Sequence, residues 1–151
     1  MKKSYESLLQ TAETVDGVLQ ESNEMVLTKP YQPGKWSTRE IVGHMLYWDK
    51  YILEELVPQM TEGAQMRDFP NHDTFNAAAI GALSGRSAAY ILRTFVGTRR
   101  ELASALAAVD QDATFKIGKS TRAFTAEKIA RIFVKHDEHH LKQIHAAIER
   151  G

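Results

Sequence analysis

Hydrophobic residues recur every three or four positions along most of the chain, which is the period of an amphipathic α-helix. Near the start, one apolar stripe is separated from faces filled by polar residues such as Glu6, Gln10 and Glu13. This stripe predicts a first helix of about five turns, ended by the proline- and glycine-containing stretch 28–35. Its members are Tyr5, Leu8, Ala12, Val15 and Leu19.

A second helix is predicted to begin after Ser37. Ser37 followed by Glu40 has the spacing of a capping box, in which each side chain accepts a hydrogen bond from a backbone N–H of the first turn. The helix is expected to run to about Val57 and to end before Pro58. Its apolar stripe consists of Ile41, His44, Trp48, Tyr51 and Ile52.

The middle of the chain is less regular. Residues 59–72 contain few apolar anchors, and Asp73 is the expected N-cap of a short helix that ends at about Leu83. Ser87 is the expected N-cap of a third long helix. The stripe of that helix consists of Ile91, Phe95, Leu102, Leu106 and Val109.

The last helix is predicted to follow Thr125 as its N-cap, with Glu127 favourable to the helix dipole in its first turn. Before it, residues 111–124 form a loop in which the alternation Phe115–Ile117 indicates a short extended piece. Four long helices and a short extra one, with no convincing sheet, predict a single all-α four-helix bundle over residues 1–151. The pattern alone leaves the order of the helices in the bundle open.

Composition narrows the function. The 151 residues include 19 basic and 19 acidic side chains, and this balance argues against nucleic-acid binding, which draws on a concentrated positive field. The polar start lacks a signal-peptide core, and no stretch approaches the roughly 20 apolar residues that span a bilayer, so the expectation is a cytoplasmic protein without membrane contact. The absence of cysteine excludes thiolate ligands and cysteine nucleophiles.

The candidate chemistry lies in three histidines. His136 and His140 are four residues apart, so they share one helix face, in the middle of an apolar stripe that runs from Ile129 to Ala147. His44 occupies the middle of the second helix's stripe. These residues suggest a site of three imidazoles between facing helices. The alternative is that they are core histidines that bond to their neighbours or to water.

Three imidazoles would form an open site. Structural zinc takes four protein ligands, whereas catalytic zinc keeps a position for water or substrate. Neutral ligands leave the charge of the ion undiminished, which favours Lewis-acid chemistry over redox chemistry. Zinc, nickel, copper and cobalt all suit such a donor set.

Three stretches together resemble the DinB/YfiT-like superfamily of metal-dependent enzymes. They are residues 35–44, which lead from Trp36 and Ser37 to His44; Asp73-Thr74-Phe75-Asn76, where the family usually has Trp in place of Phe75; and residues 136–144, with paired histidines followed by Gln143. The resemblance implies an up-down-down-up bundle with His44, His136 and His140 as ligands of one divalent ion, zinc or nickel.

The resemblance also implies a reaction class. Several relatives use a low-molecular-weight thiol, so the expectation is S-transfer to a small molecule, or hydrolysis, by a homodimer. The alternative is a non-catalytic bundle that binds a metal or a ligand.

Other residues carry weaker expectations. Gln143 and Asn76 are candidates for hydrogen bonding near the site, against roles at the bundle mouth or in a turn. Trp48 and Tyr51 either fill the core or line a pocket. His139 is either a general base at the rim or a solvated histidine. Arg99, Arg100, Lys128 and Arg131 are interpreted as solvated helix faces.

Overall fold

The computed structural model describes residues 1–150, which form six α-helices and two very short strands. Three of the predicted N-caps are confirmed: Ser37 forms the capping box with Glu40, Ser87 accepts from the N–H of Tyr90, and Thr125 accepts from that of Lys128. The helices are α1 (Lys3–Glu21), α2 (Glu24–Leu27), α3 (Thr38–Tyr51), α4 (His72–Ala82), α5 (Ala88–Ala108) and α6 (Ala126–Arg150).

Two helix starts differ from the sequence-based expectation. The short helix α2 was not predicted; it begins where the Asn23 side chain accepts a hydrogen bond from the N–H of Val26. Helix α4 is capped by Asn71, which accepts from the N–H of Thr74, and the prediction of Asp73 as the cap was wrong. Asn71 precedes the acidic residue by two positions, so the helix starts earlier and Asp73 lies within its first turn, where its charge suits the dipole.

The sequence suggested that the second long helix ends before Pro58, but helical structure of another kind continues past this residue. It continues as a π-helix over Ile52–Leu56 and a 3₁₀ turn over Val57–Gln59. Proline has no N–H, and its ring collides with the carbonyl four residues earlier in a regular α-helix. A widened turn, in which the N–H of Val57 bonds to the carbonyl of Ile52, carries the chain past this obstacle.

The four long helices run up, down, down and up, as the resemblance implied. Ser4 bonds to Glu127, so the first turns of α1 and α6 are neighbours and these helices are parallel. Leu56, beyond the end of α3, packs in one cluster with Leu106 near the end of α5, so these two helices are also parallel. Tyr5 at the start of α1 bonds to Gln111 beyond the end of α5, which makes the two pairs antiparallel.

Because α3 and α5 are parallel, the chain must return along the bundle between them. Residues 60–87 form this crossover, which contains β1 (Gln65–Met66) and α4. Strand β1 pairs in parallel with β2 (Lys116–Ile117) from the loop between α5 and α6. The predicted extended piece near Phe115 is therefore confirmed, whereas its pairing with β1 in a small sheet was not predicted.

The buried core consists of two apolar clusters and a group of buried charged residues. One apolar cluster contains Leu8, Ile52 and Leu102, and the other contains Val15, Met45 and Phe95. Between them lies the buried ion triad of Asp49, Arg99 and Asp137.

The interpretation of Arg99 as a solvated residue was wrong, since its side chain is only 1% exposed. It donates to Asp49 at 2.8 and 3.0 Å, to Asp137 at 2.6 and 3.0 Å, and to the Leu8 carbonyl at 3.3 Å. Arg99 thus links all four long helices, whereas its neighbour Arg100 is exposed and pairs with Glu13 at the surface. Within residues 1–150, no helix is both long and apolar enough to cross a bilayer.

Candidate metal centre

Three histidine side chains meet between α3 and α6. Helix α6 presents His136 and His140 one turn apart on the same face, and α3, whose start is fixed by its capping box, presents His44 opposite them. The Nε2 atom of His136 lies 3.3 Å from Nε2 of His44 and 3.1 Å from Nε2 of His140. All three ligand atoms lie within 4.8 Å of one another.

These separations fit a single cation. Two nitrogens that bind zinc tetrahedrally at 2.0–2.1 Å are about 3.3–3.4 Å apart, and the two measured Nε2 separations lie close to that value. The three rings are tilted or edge-on to each other, with centroids 4.4–5.2 Å apart. It is the two Nε2 separations that suit a common ion.

The three imidazoles are held neutral. Burial, together with the nearby ring of His140, lowers the pKa of His44 to about 4. Burial and the two neighbouring histidines lower the pKa of His136 to about 3, and burial also lowers the pKa of His140. Each ring therefore carries one nitrogen lone pair at neutral pH, which is the form that binds a metal.

A hydrogen bond fixes which nitrogen of His140 carries its lone pair. Nδ1 of His140 lies 2.7 Å from Oε1 of Gln143, an oxygen that only accepts. Nδ1 must then carry the proton, and Nε2 presents a lone pair to the other two histidines. Gln143 lies where the sequence suggested a hydrogen-bonding partner, one turn beyond His140.

Packing orients His44. Its ring lies 5.1 Å from that of Trp36, measured between centroids. Its second nitrogen, Nδ1, is buried without a hydrogen-bond partner among the described residues. The nearby Asn76 amide opposes the lowering of the His44 pKa, but it forms no hydrogen bond of good geometry with the ring.

The histidines form one wall of a cavity of about 470 Å³, called here the histidine cavity. Besides His44, His136 and His140, its polar lining consists of His72, Asn76 and His139. Its apolar lining consists of Trp36, Trp48, Phe69, Ile132 and Phe133.

The remaining residues singled out in the sequence lie around this cavity at different depths. Asn76 accepts a hydrogen bond from Nε1 of Trp48 at 3.1 Å, and both side chains line the cavity. Tyr51 lies behind them, packed edge-on against Trp48, and does not contribute to the lining. His139 is exposed at the rim, with its ring 5.1 Å from that of His140.

Five lining residues were not predicted to lie at the site: Trp36, Phe69, His72, Ile132 and Phe133. Phe69 and His72 come from the crossover, whose path no periodic pattern describes. Ile132 is part of the predicted stripe of α6, yet it is 47% exposed and lies at the cavity instead of in the core. The available signal in the sequence was its angular position on the helix, which lies to one side of the buried residues Ile129 and Phe133.

The buried ion triad adjoins the metal centre. Asp137 directly follows His136, and Asp49 lies on the same helix as His44, so Arg99 joins the two helices that carry the histidines. The positive charge of Arg99 also contributes to the low pKa of His136. A sequence signal existed: Arg99 falls between Phe95 and Leu102 at helical spacing, and a charge within an apolar stripe needs a buried partner.

Fold and site together define a four-helix bundle with a three-histidine centre. The family model of the DinB superfamily matches residues 7–144. This chain therefore belongs to the DinB superfamily.

A solved structure supports the fold. The chain is similar to YfiT from Bacillus subtilis, described as a probable metal-dependent hydrolase with an unusual four-helix bundle topology. The TM-score is 0.68 at 15% sequence identity, and the alignment covers 99% of this chain and 89% of that one. No significant match is found among the curated proteins.

Proposed function

We propose that this protein is a metal-dependent hydrolase that binds one divalent ion, zinc or nickel, through His44, His136 and His140. The observation that carries the proposal is the convergence of three neutral imidazole Nε2 atoms at metal-ligand spacing. The similarity to YfiT, itself described as a probable hydrolase, supports the same class of reaction.

The surroundings of the three nitrogens suit catalysis on a small molecule. A bound divalent ion supplies a Lewis acid that activates water and polarises the group under attack. Gln143 holds His140 in the tautomer that ligation needs, and the cavity gives a substrate access to one side of the cluster. We further propose that His139, exposed at the rim beside His140, accepts or returns a proton during the reaction.

Metal content is the first test. Protein purified without a polyhistidine tag should contain close to one zinc or nickel ion per chain by elemental analysis. His140→Ala should abolish metal uptake while circular dichroism shows unchanged helical content. His145→Ala is the matched control, because His145 is an exposed histidine on the same helix but outside the cluster. Equal metal content in both variants would remove His140 from the ligand set.

Activity is the second test. Hydrolysis of a panel of small esters, amides and lactones should occur with metal and stop when a chelator is present. Thiol transfer, the other reaction that the resemblance implies, is assayed in parallel with a low-molecular-weight thiol and an electrophile. Chelator-sensitive activity only with the thiol would assign the transferase reaction instead. A metal-loaded protein inactive in both assays would indicate a binding protein.

Two further parts of the hypothesis, a homodimer and a cytoplasmic location, stay predictions. Light scattering of the purified protein tests the first.

A further inference from the structure

We propose that the histidine cavity selects an uncharged, largely apolar substrate whose body packs against aromatic side chains, leaving one polar group for the metal centre. This inference deepens the proposed function and rests on it for the reacting end of the molecule. It concerns the rest of the substrate, which the cavity walls contact.

The walls are apolar beyond the metal centre. The apolar lining consists of aromatic rings and one branched aliphatic chain, from the two tryptophans, Phe69, Phe133 and Ile132. The remaining polar lining consists of an amide and imidazole groups. No lysine, arginine, aspartate or glutamate is among the lining residues of the described chain. A volume of about 470 Å³ lies within the range of small-molecule pockets, which are mostly apolar with a few placed polar groups.

An anionic substrate body would be poorly accommodated here. A carboxylate or phosphate that enters an apolar cavity loses hydration, and this loss is offset only by a cationic or hydrogen-bonding partner. The described lining of the cavity contains no lysine or arginine side chain.

The rim of the cavity is apolar as well. Ile132 is 47% exposed. It lies on a helix whose other exposed positions are mostly charged, so burial in the core does not explain an isoleucine here. Phe69 is half-buried and comes from the crossover, so two independent segments place apolar groups at the cavity. This arrangement extends the apolar contact from the cavity wall to its entrance.

The chain contains a built-in reporter for the test. Both of its tryptophans, Trp36 and Trp48, line the cavity, so intrinsic fluorescence responds to occupancy. Metal-free protein is titrated with 4-methylbenzamide and with 4-carboxybenzamide, which share size and shape but differ in charge. We expect the neutral amide to bind at least tenfold more tightly. Equal affinity, tighter binding of the carboxylate, or no binding of either compound would overturn the proposal.

A substitution at the rim tests the cause. Ile132→Lys introduces a cation at a half-exposed position that the helix tolerates, and it should abolish or reverse the preference for the neutral compound. Gln10→Lys is the matched control, because Gln10 is exposed on α1, a helix that contributes no lining residue. An unchanged preference in Ile132→Lys, with circular dichroism showing a folded protein, would contradict the assignment of this rim to the substrate.

The two proposals fail separately. Ligand preference in metal-free protein does not depend on metal uptake or on turnover. If the preference holds but no metal binds, the proposed function is wrong and the cavity remains a site for apolar ligands. If metal and activity are found but charged esters are cleaved as well as neutral ones, the inference about the substrate is wrong.

Discussion

Replacing Arg99 by methionine should destabilise the protein strongly. The substitution preserves much of the side-chain length but removes the only positive charge in the buried ion triad. Asp49 and Asp137 would be left facing each other at 1% and 2% exposure, without the guanidinium that now donates to both. Removing one partner of a buried ion pair leaves an uncompensated charge, whereas the loss of a surface pair has little effect.

The expected magnitude follows from this burial. Breaking a buried ion pair typically lowers the free energy of unfolding by about 3–5 kcal/mol. For a chain of this size each kcal/mol corresponds to about 2–4 °C in melting temperature, so a fall of roughly 6–20 °C is expected. Thermal and urea unfolding, followed by circular dichroism, measure both quantities.

Arg100→Met provides the control. Arg100 is the next residue on the same helix, has the same chemistry, and pairs with Glu13 at the surface. Its replacement should leave the melting temperature almost unchanged. Equal stability of the two variants would refute the account of Arg99 as the central ion of the bundle.

A second readout separates stability from positioning. Because Arg99 ties α3 to α6, its loss should also loosen the spacing between His44 and the pair on α6. We expect the zinc affinity of Arg99→Met, measured well below its melting temperature, to fall by about 10–100-fold, as for other groups that orient metal ligands indirectly. Unchanged zinc affinity in a destabilised variant would restrict Arg99 to a stabilising role.

Three further predictions concern residues around the histidines. As the pH falls from about 6.5 to about 4, metal-free protein should lose stability. In this range His44 and His136 become protonated in the unfolded chain but stay neutral in the folded chain, and at pH 5 the difference is about two protons. Urea midpoints at pH 7 and pH 5 measure the loss of stability, which should be smaller in His44→Phe. Burial raises the pKa of Asp49 to about 6, so protonation of Asp49 stabilises both proteins as the pH falls and offsets part of the loss in each. Gln143→Leu should weaken zinc binding by about 10–100-fold in a competition titration with a chromophoric chelator, because His140 loses the acceptor that fixes its tautomer; wild-type affinity would contradict this role. Gly43→Ala should lower the free energy of unfolding by about 1–3 kcal/mol, because its Cβ would lie 2.7 Å from Cδ2 of the fully buried Leu83 and closer still to Cδ1; a more stable variant would show that helix propensity outweighs this overlap.

Local sequence signals predicted the parts of the fold that depend on local physics. The capping box of Ser37, the caps at Ser87 and Thr125, and the helical spacing of His136 and His140 are all short-range, and the structure has each of them in place. The up-down-down-up order of the helices was predicted from the resemblance, because the hydrophobic pattern does not indicate which helices are neighbours.

What escaped prediction depends on contacts between distant segments. Arg99 looked like a surface residue because its partners, Asp49 and Asp137, are 50 and 38 positions away along the chain. Phe69 and His72 reach the cavity only because the crossover passes beside α3. The π-helix before Pro58 was missed for another reason: proline reliably disturbs a helix, but whether the chain stops or widens depends on the packing of Ile52 and Leu56 into the core.

The parallel course of α3 and α5 has a consequence for how such a bundle can diversify. It requires a long return segment, and that segment carries Phe69, His72 and Asn76 to the cavity while supplying none of the three clustered histidines and no member of the ion triad. Mutations there can reshape the cavity and leave the histidine cluster and the ion triad intact. Part of the cavity wall can thus vary independently of the residues that form the histidine cluster and the ion triad.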